Sequence, residues 1–134
     1  MNNLLNKIKE LLANDKVAKV KAFAMKYKNY IAVCVLFMLL DQMKHSNADI
    51  VKLAVMPQNA DDVLRLLSET NHFHKRYPNQ PLITMSMGKL GVISRISGEV
   101  FGSCVTFGAG KNASAPGQIE MGKLEEFLQV LRLS

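Results

Sequence analysis

From Ile50 onward, short unbroken apolar runs alternate with longer amphipathic stretches, and Pro or Gly stands at most of the junctions. IVKLAV is stopped by Pro57, LITMSM follows Pro78 and Pro81, and CVTFGA comes after a turn bracketed by Gly88 and Gly91 and the helix-like segment VISRISGEVF. Runs this apolar, with little polar alternation, read as strands buried on both faces, and such strands belong to a parallel sheet flanked by helices. The intervening DDVLRLLSETNHFHKRY sets Val63, Leu64, Leu67 and Phe73 roughly on one side of a helix. MGKLEEFLQVLRL sets Leu124, Phe127, Leu128 and Leu131 facing inward on another, after a loop over 112–118. The spacing therefore predicts an α/β fold.

The first 47 residues read differently. Leu4, Leu5, Ile8, Leu11 and Leu12 make one stripe of a short amphipathic helix, 19–25 alternates well enough for a strand, and Tyr30 to Met43 is long enough for a helix. The run YIAVCVLFMLL is too short for a bilayer, which takes roughly 18 apolar residues or more, so a core helix or strand is expected. With no cleavage site after that run, a signal peptide is not expected either, and the cytoplasm is the expected compartment.

The net charge of +6 in 134 residues comes mostly from seven lysines within the first 28 residues, opposed there only by Glu10 and Asp15. A charged N-terminal face accounts for this. Nucleic-acid readers combine a basic stripe with Arg and aromatic side chains, whereas this chain has four arginines and no Trp, so a nucleic-acid partner is not expected. Cys34 and Cys104 sit in apolar runs without ligand spacing and read as small buried hydrophobes in a reducing compartment. His72 and His74 lack a supporting carboxylate or Cys cluster and read as solvated, as does His45. No metal site is expected.

Chemistry in a parallel α/β sheet gathers at the C-terminal strand ends and the loops leaving them. Lys52, inside IVKLAV, must either reach out to an edge or lie in a low-dielectric interior, where desolvation favours the neutral amine that a Schiff-base nucleophile needs. Arg95 either holds a substrate carboxylate in its two-pronged fork or pairs with Glu99 one helical turn later, the local pair being slightly preferred. Ser114 and Gln118 are neutral hydrogen-bonding groups in KNASAPGQI, where Pro116 and Gly117 shape a turn able to serve as a lid. Met85 and Met87 flank Ser86 and suit a core or pocket wall.

The blocks VKLAVMPQ, PLITMSMGKLGVISR with SGEVFGS, and TFGAGKNASAPGQI, in that order, resemble the C-terminal half of the type I 3-dehydroquinate dehydratase family, from about Ala48 to the end. The resemblance implies a partial TIM (β/α)8 barrel, a C-terminal half-barrel of parallel strands, following a divergent segment over 1–47. The strands bearing Lys52, Met85 and Phe107 would be the sixth, seventh and eighth. It further implies dehydration of 3-dehydroquinate to 3-dehydroshikimate in the shikimate pathway, without cofactor or metal. Lys52 falls on the imine-forming lysine, Arg95 on the carboxylate-binding arginine, and Ser114 and Gln118 on lid residues over the ring hydroxyls. Met85, Met87 and Phe107 fall on apolar pocket positions.

The sequence departs from the family in two places. Half of the barrel has no counterpart, and the general acid/base histidine of a motif like S-[NH]-H-D-F is missing: an ungapped count back from Lys52 reaches Met25, whose thioether transfers no proton. The alternative expectations are therefore an inactive truncated half-barrel with open sheet edges, and a homodimer that rebuilds an eight-stranded closure around the substrate. A membrane-anchored protein using the 30–40 run is the least favoured, and no membrane partner is expected.

Overall fold

The computed structural model of the chain describes residues 31–133, with side chains from residue 36. The helix and strand expected within the first 25 residues, the setting of Met25 and the burial of the Cys34 side chain lie outside the described residues. Seven elements follow in order: α1 (Ile31–His45), β1 (Val51–Val55), α2 (Ala60–Arg76), β2 (Leu82–Ser86), α3 (Val92–Ile96), α4 (Gly98–Phe101) and α5 (Met121–Leu131). Strands β1 and β2 pair in parallel with α2 as the connection, and Lys52 stands opposite Ile83 and Ala54 opposite Met85. This is the α/β organisation that the apolar runs predict.

Side chains alternate across a strand, so β1 and β2 each offer two faces. On one, Val51 and Leu82 join Leu40 of α1 and Phe73 of α2 in a buried cluster, with Met43, Leu53 and Tyr77 packed around it. Fully burying each such side chain is worth about 1.5–3 kcal/mol. The apolar run of 30–40 is thus largely helix α1, whose Leu40 enters this cluster. No helix among the described residues is long and apolar enough to cross a membrane.

Helix α2 begins where its sequence provides a cap: the Asn59 side chain accepts from the Asp62 backbone N–H at 3.0 Å, and Asp61 and Asp62 complement the positive helix end. It stops at Tyr77, ahead of Pro78. Its buried face is Val63, Leu66, Leu67, Thr70 and Phe73, whereas Leu64 is 63% exposed, contrary to the expected stripe. The helical repeat turns Leu64 away from the line through Val63, Leu67 and Thr70.

The third apolar run, CVTFGA, does not form a strand. Cys104 N–H donates to the Leu82 carbonyl at 2.8 Å, but the neighbouring Thr84 N–H is taken by the Ser103 hydroxyl at 3.0 Å in place of a backbone carbonyl. The ladder lapses beyond that point, and Cys104, Val105 and Phe107 are exposed instead of buried. A single parallel bridge, Ala109 to Glu120, leads into α5. That helix is capped by the Glu120 carboxylate, which accepts from Gly122 and Lys123 N–H. Only Leu124 of its expected inward face is buried, Phe127 is 49% exposed, and Leu128 and Leu131 are partly covered.

Candidate active site

The register of the β1–β2 pair puts Lys52, Ala54, Ile83 and Met85 on the face away from the α1–α2 core. Ile83 and Met85 are buried, while Lys52 and Ala54, on the outer strand of the pair, are exposed. Of the two settings open to Lys52, the described residues show the outward-reaching one and not the low-dielectric interior. Its Nζ lies over the ring of Phe107, 4.7 Å from the centroid.

Arg95 is 1% exposed, and its guanidinium is a structural tie. Nη1 donates to the Phe107 carbonyl at 3.4 Å and lies 3.8 Å from the Met85 sulfur, while Nη2 donates to the Pro116 carbonyl at 3.1 Å. Nε is buried with no hydrogen-bond partner among the described residues. Desolvation works against the charged form and lowers the pKa of Arg95 from its ordinary value. The expected pairing of Arg95 with Glu99 does not occur. Helix α3 ends at Ile96 and α4 restarts at Gly98, so the two residues are not one turn apart on a continuous helix, and Glu99 is exposed.

The loop carrying Ser114 and Gln118 closes on itself. Gln118 Oε1 accepts from Ser114 N–H at 2.6 Å, from Ser114 Oγ at 3.1 Å and from Ala115 N–H at 3.1 Å. It is anchored to the end of β2 because the Pro116 carbonyl also accepts from Gly88 N–H at 3.1 Å. Gly117 has φ +77°, and a Cβ there would stand 2.3 Å from the Gly88 carbonyl oxygen, so this crossing admits only glycine. Met87 is half-buried just past β2, its N–H donating to the Val55 carbonyl at 2.8 Å.

Lys52, Phe107, Arg95, Met85 and the Ser114–Gln118 loop are thus linked through contacts, from the sheet face turned away from α1 and α2 to the C-terminal end of β2. Two supports went unread in the sequence. Ser94 Oγ accepts from Ser86 N–H at 2.8 Å and donates to the Gly91 carbonyl at 2.7 Å, fixing the strand end that carries Met85 and Met87. The Pro116 carbonyl is the common acceptor for Arg95 and Gly88. Neither leaves a mark in residue spacing, since one is a hydroxyl bonded to backbone groups and the other is a backbone carbonyl. His72 lies against Glu69 at 3.5 Å, and His45 Nδ1 meets the Asp41 carbonyl at 2.7 Å, so both take part in local helix contacts.

The chain matches the family model for type I 3-dehydroquinase over residues 4–134. It is 53% identical over 90 residues to 3-dehydroquinate dehydratase of Enterococcus faecalis and 55% identical over 92 residues to that of Clostridium novyi, covering 67% and 69% of this chain and 36% of each relative. The matched stretch is thus little more than a third of these relatives' length. Among solved structures it resembles the dehydratase of Geobacillus kaustophilus, with TM-score 0.71 and 44% identity over 75% of this chain and 38% of that one. It also resembles the type I enzyme of Clostridium difficile, solved with covalently modified comenic acid, with TM-score 0.66 and 53% identity over 71% and 37% of the two chains. The parallel strands and their connections accordingly form part of a TIM barrel, and the chain belongs to the type I 3-dehydroquinase family.

Proposed function

We propose that this chain acts as a 3-dehydroquinate dehydratase, converting 3-dehydroquinate to 3-dehydroshikimate and water through a Schiff base at Lys52, without cofactor or metal. The observation that carries the reading is the connection of Lys52, through the Phe107 ring, to a buried Arg95 that also grips the Ser114–Gln118 loop. The covalent modification in the Clostridium difficile relative supports a nucleophile in this fold.

In the proposed reaction the neutral Lys52 amine attacks the ketone carbon and the carbonyl oxygen leaves as water, giving an iminium. The iminium draws electrons from the adjacent carbon, which gives up a proton, and the neighbouring hydroxyl then departs as water. Hydrolysis of the imine returns the lysine. Arg95, whose Nε is unpaired and buried, receives the substrate carboxylate. Ser114 and Gln118 hold ring hydroxyls after exchanging their internal hydrogen bonds for substrate, and Met87 and Phe107 supply apolar wall. Residues 48–134 are the C-terminal half of the barrel in this reading and 1–47 a divergent segment, in a cytoplasmic chain that completes its barrel as a homodimer and engages neither nucleic acid nor membrane.

A second reading is a non-catalytic member of the family. It is favoured by the exposure of Lys52, which leaves its amine in water, and by the sequence count that puts Met25 at the position of the family's acid/base histidine. Incubation of the purified chain with 3-dehydroquinate and borohydride, followed by intact-mass measurement, separates the two. An adduct that disappears in Lys52→Ala supports the dehydratase; an unmodified mass supports the non-catalytic reading.

A further inference from the structure

The Nζ of Lys52 and the Phe107 ring meet at 4.7 Å although neither residue is buried. Simple exclusion from water does not account for this meeting. An aromatic face is negative at its centre and attracts a cation placed over it. The backbone that carries the ring is also held, because the Phe107 carbonyl accepts from Arg95 Nη1 at 3.4 Å and Arg95 is itself buried against Met85.

We propose that Phe107 is a positioning residue for Lys52, its ring face holding the lysine nitrogen in its cationic forms on the face of the β1–β2 pair turned away from α1 and α2. The part of this that concerns the iminium rests on the Schiff-base reading above; the part that concerns the ammonium does not. The ammonium first gives up one proton, the neutral amine then adds to the ketone carbon, and with a proton returned the carbonyl oxygen leaves as water, so that the nitrogen again carries a positive charge as the iminium. The ring therefore faces a like charge in the resting ammonium and in the iminium, on either side of the neutral amine that attacks. It also restrains a flexible four-carbon stem that is otherwise free in water.

The test uses the full chain with its lysines reductively methylated with 13C, which keeps the charge on each. The Lys52 signal, identified by its loss in Lys52→Ala, is expected upfield of the other lysines because it lies in the ring current. Phe107→Leu should move it into the common envelope, and Phe107→Tyr should leave it displaced. In the unmethylated chain the trapped-adduct yield with 3-dehydroquinate and borohydride should fall about two- to five-fold in Phe107→Leu and recover in Phe107→Tyr. A Lys52 signal unchanged by Phe107→Leu overturns the proposal, and so does equal trapping in parent and Leu variant. If the parent forms no adduct, it is the dehydratase reading that fails, and the resonance alone decides the placement of the ring.

Discussion

Arg95 Nη2 donates to the Pro116 carbonyl at 3.1 Å, so that a buried residue of α3 holds the loop that follows the third apolar run. Through its other nitrogen the same guanidinium holds Phe107. A lysine cannot reproduce a planar fork that reaches two carbonyls at once. Arg95→Lys is therefore expected to lower stability by about 1–3 kcal/mol, as one carbonyl loses its donor. Urea unfolding would register this as a lower midpoint at an unchanged slope, and a midpoint equal to the parent's would remove Arg95 from the structural role.

Thr70 and Thr84 join α2 to β2 through their hydroxyls, 2.7 Å apart and both buried, with Thr70 Oγ1 also within 2.7 Å of the Leu66 carbonyl. Replacing one partner strands the other. Thr70→Val is expected to cost about 1–3 kcal/mol, and adding Thr84→Val should restore most of the loss, because two apolar groups of the same shape leave nothing unsatisfied. A double-mutant cycle measured by chemical denaturation checks this: simple additivity of the two losses would show that the hydroxyls are not coupled.

Glu69 is 3% exposed, and burial raises its pKa above the usual glutamate range, partly opposed by the hydrogen bond and charge of His72. The native state then keeps its proton to higher pH than the unfolded chain does. Stability from this group is present below the unfolded glutamate pKa and is lost as pH rises through the raised native value. Glu69→Gln should flatten that decline and be relatively more stable at pH 7 than at pH 4. Unfolding midpoints at the two pH values test this, and an identical pH dependence in parent and variant would contradict it.

The fold was largely legible from Ile50 onward, because buried parallel strands and amphipathic helices write their periods into the sequence. β1, β2, α2 and α5 stand within a few residues of the segments IVKLAV, LITMSM, DDVLRLLSETNHFHKRY and MGKLEEFLQVLRL. The third strand was not legible. CVTFGA has the right composition, but a serine hydroxyl takes a ladder position, and no pattern of hydrophobicity records which donor a hydroxyl will meet. The Arg95–Glu99 pair failed for a similar reason, since spacing assumes a continuous helix and Ser97 interrupts it. Lys52 is legible because a charge inside an apolar run is conspicuous. Its exposure depends on what covers β1 from the side away from α1 and α2, which lies beyond the reach of local sequence.

Gly117 lies where the 114–118 loop crosses the backbone just past β2. Its φ of +77° is strained for any residue with a side chain, and a Cβ there would fall 2.3 Å from the Gly88 carbonyl oxygen, a backbone atom at the end of β2 that cannot swing aside. The left-handed conformation alone costs an alanine about 1–2 kcal/mol, and the clash adds to it unless the loop moves. The loop is tied by the Pro116 carbonyl and by three hydrogen bonds to Gln118, so relief comes from shifting Ser114 and Gln118 together away from the strand. On the proposed dehydratase reading, Gly117→Ala should therefore weaken binding of 3-dehydroquinate more than it lowers the unfolding midpoint, whereas Gly110→Ala, where a Cβ meets nothing within 4 Å, should affect binding little. Calorimetric titration beside thermal unfolding distinguishes the two effects, and an alanine at 117 that binds as the parent does would show that the Gly88–Gly117 crossing does not set the lid.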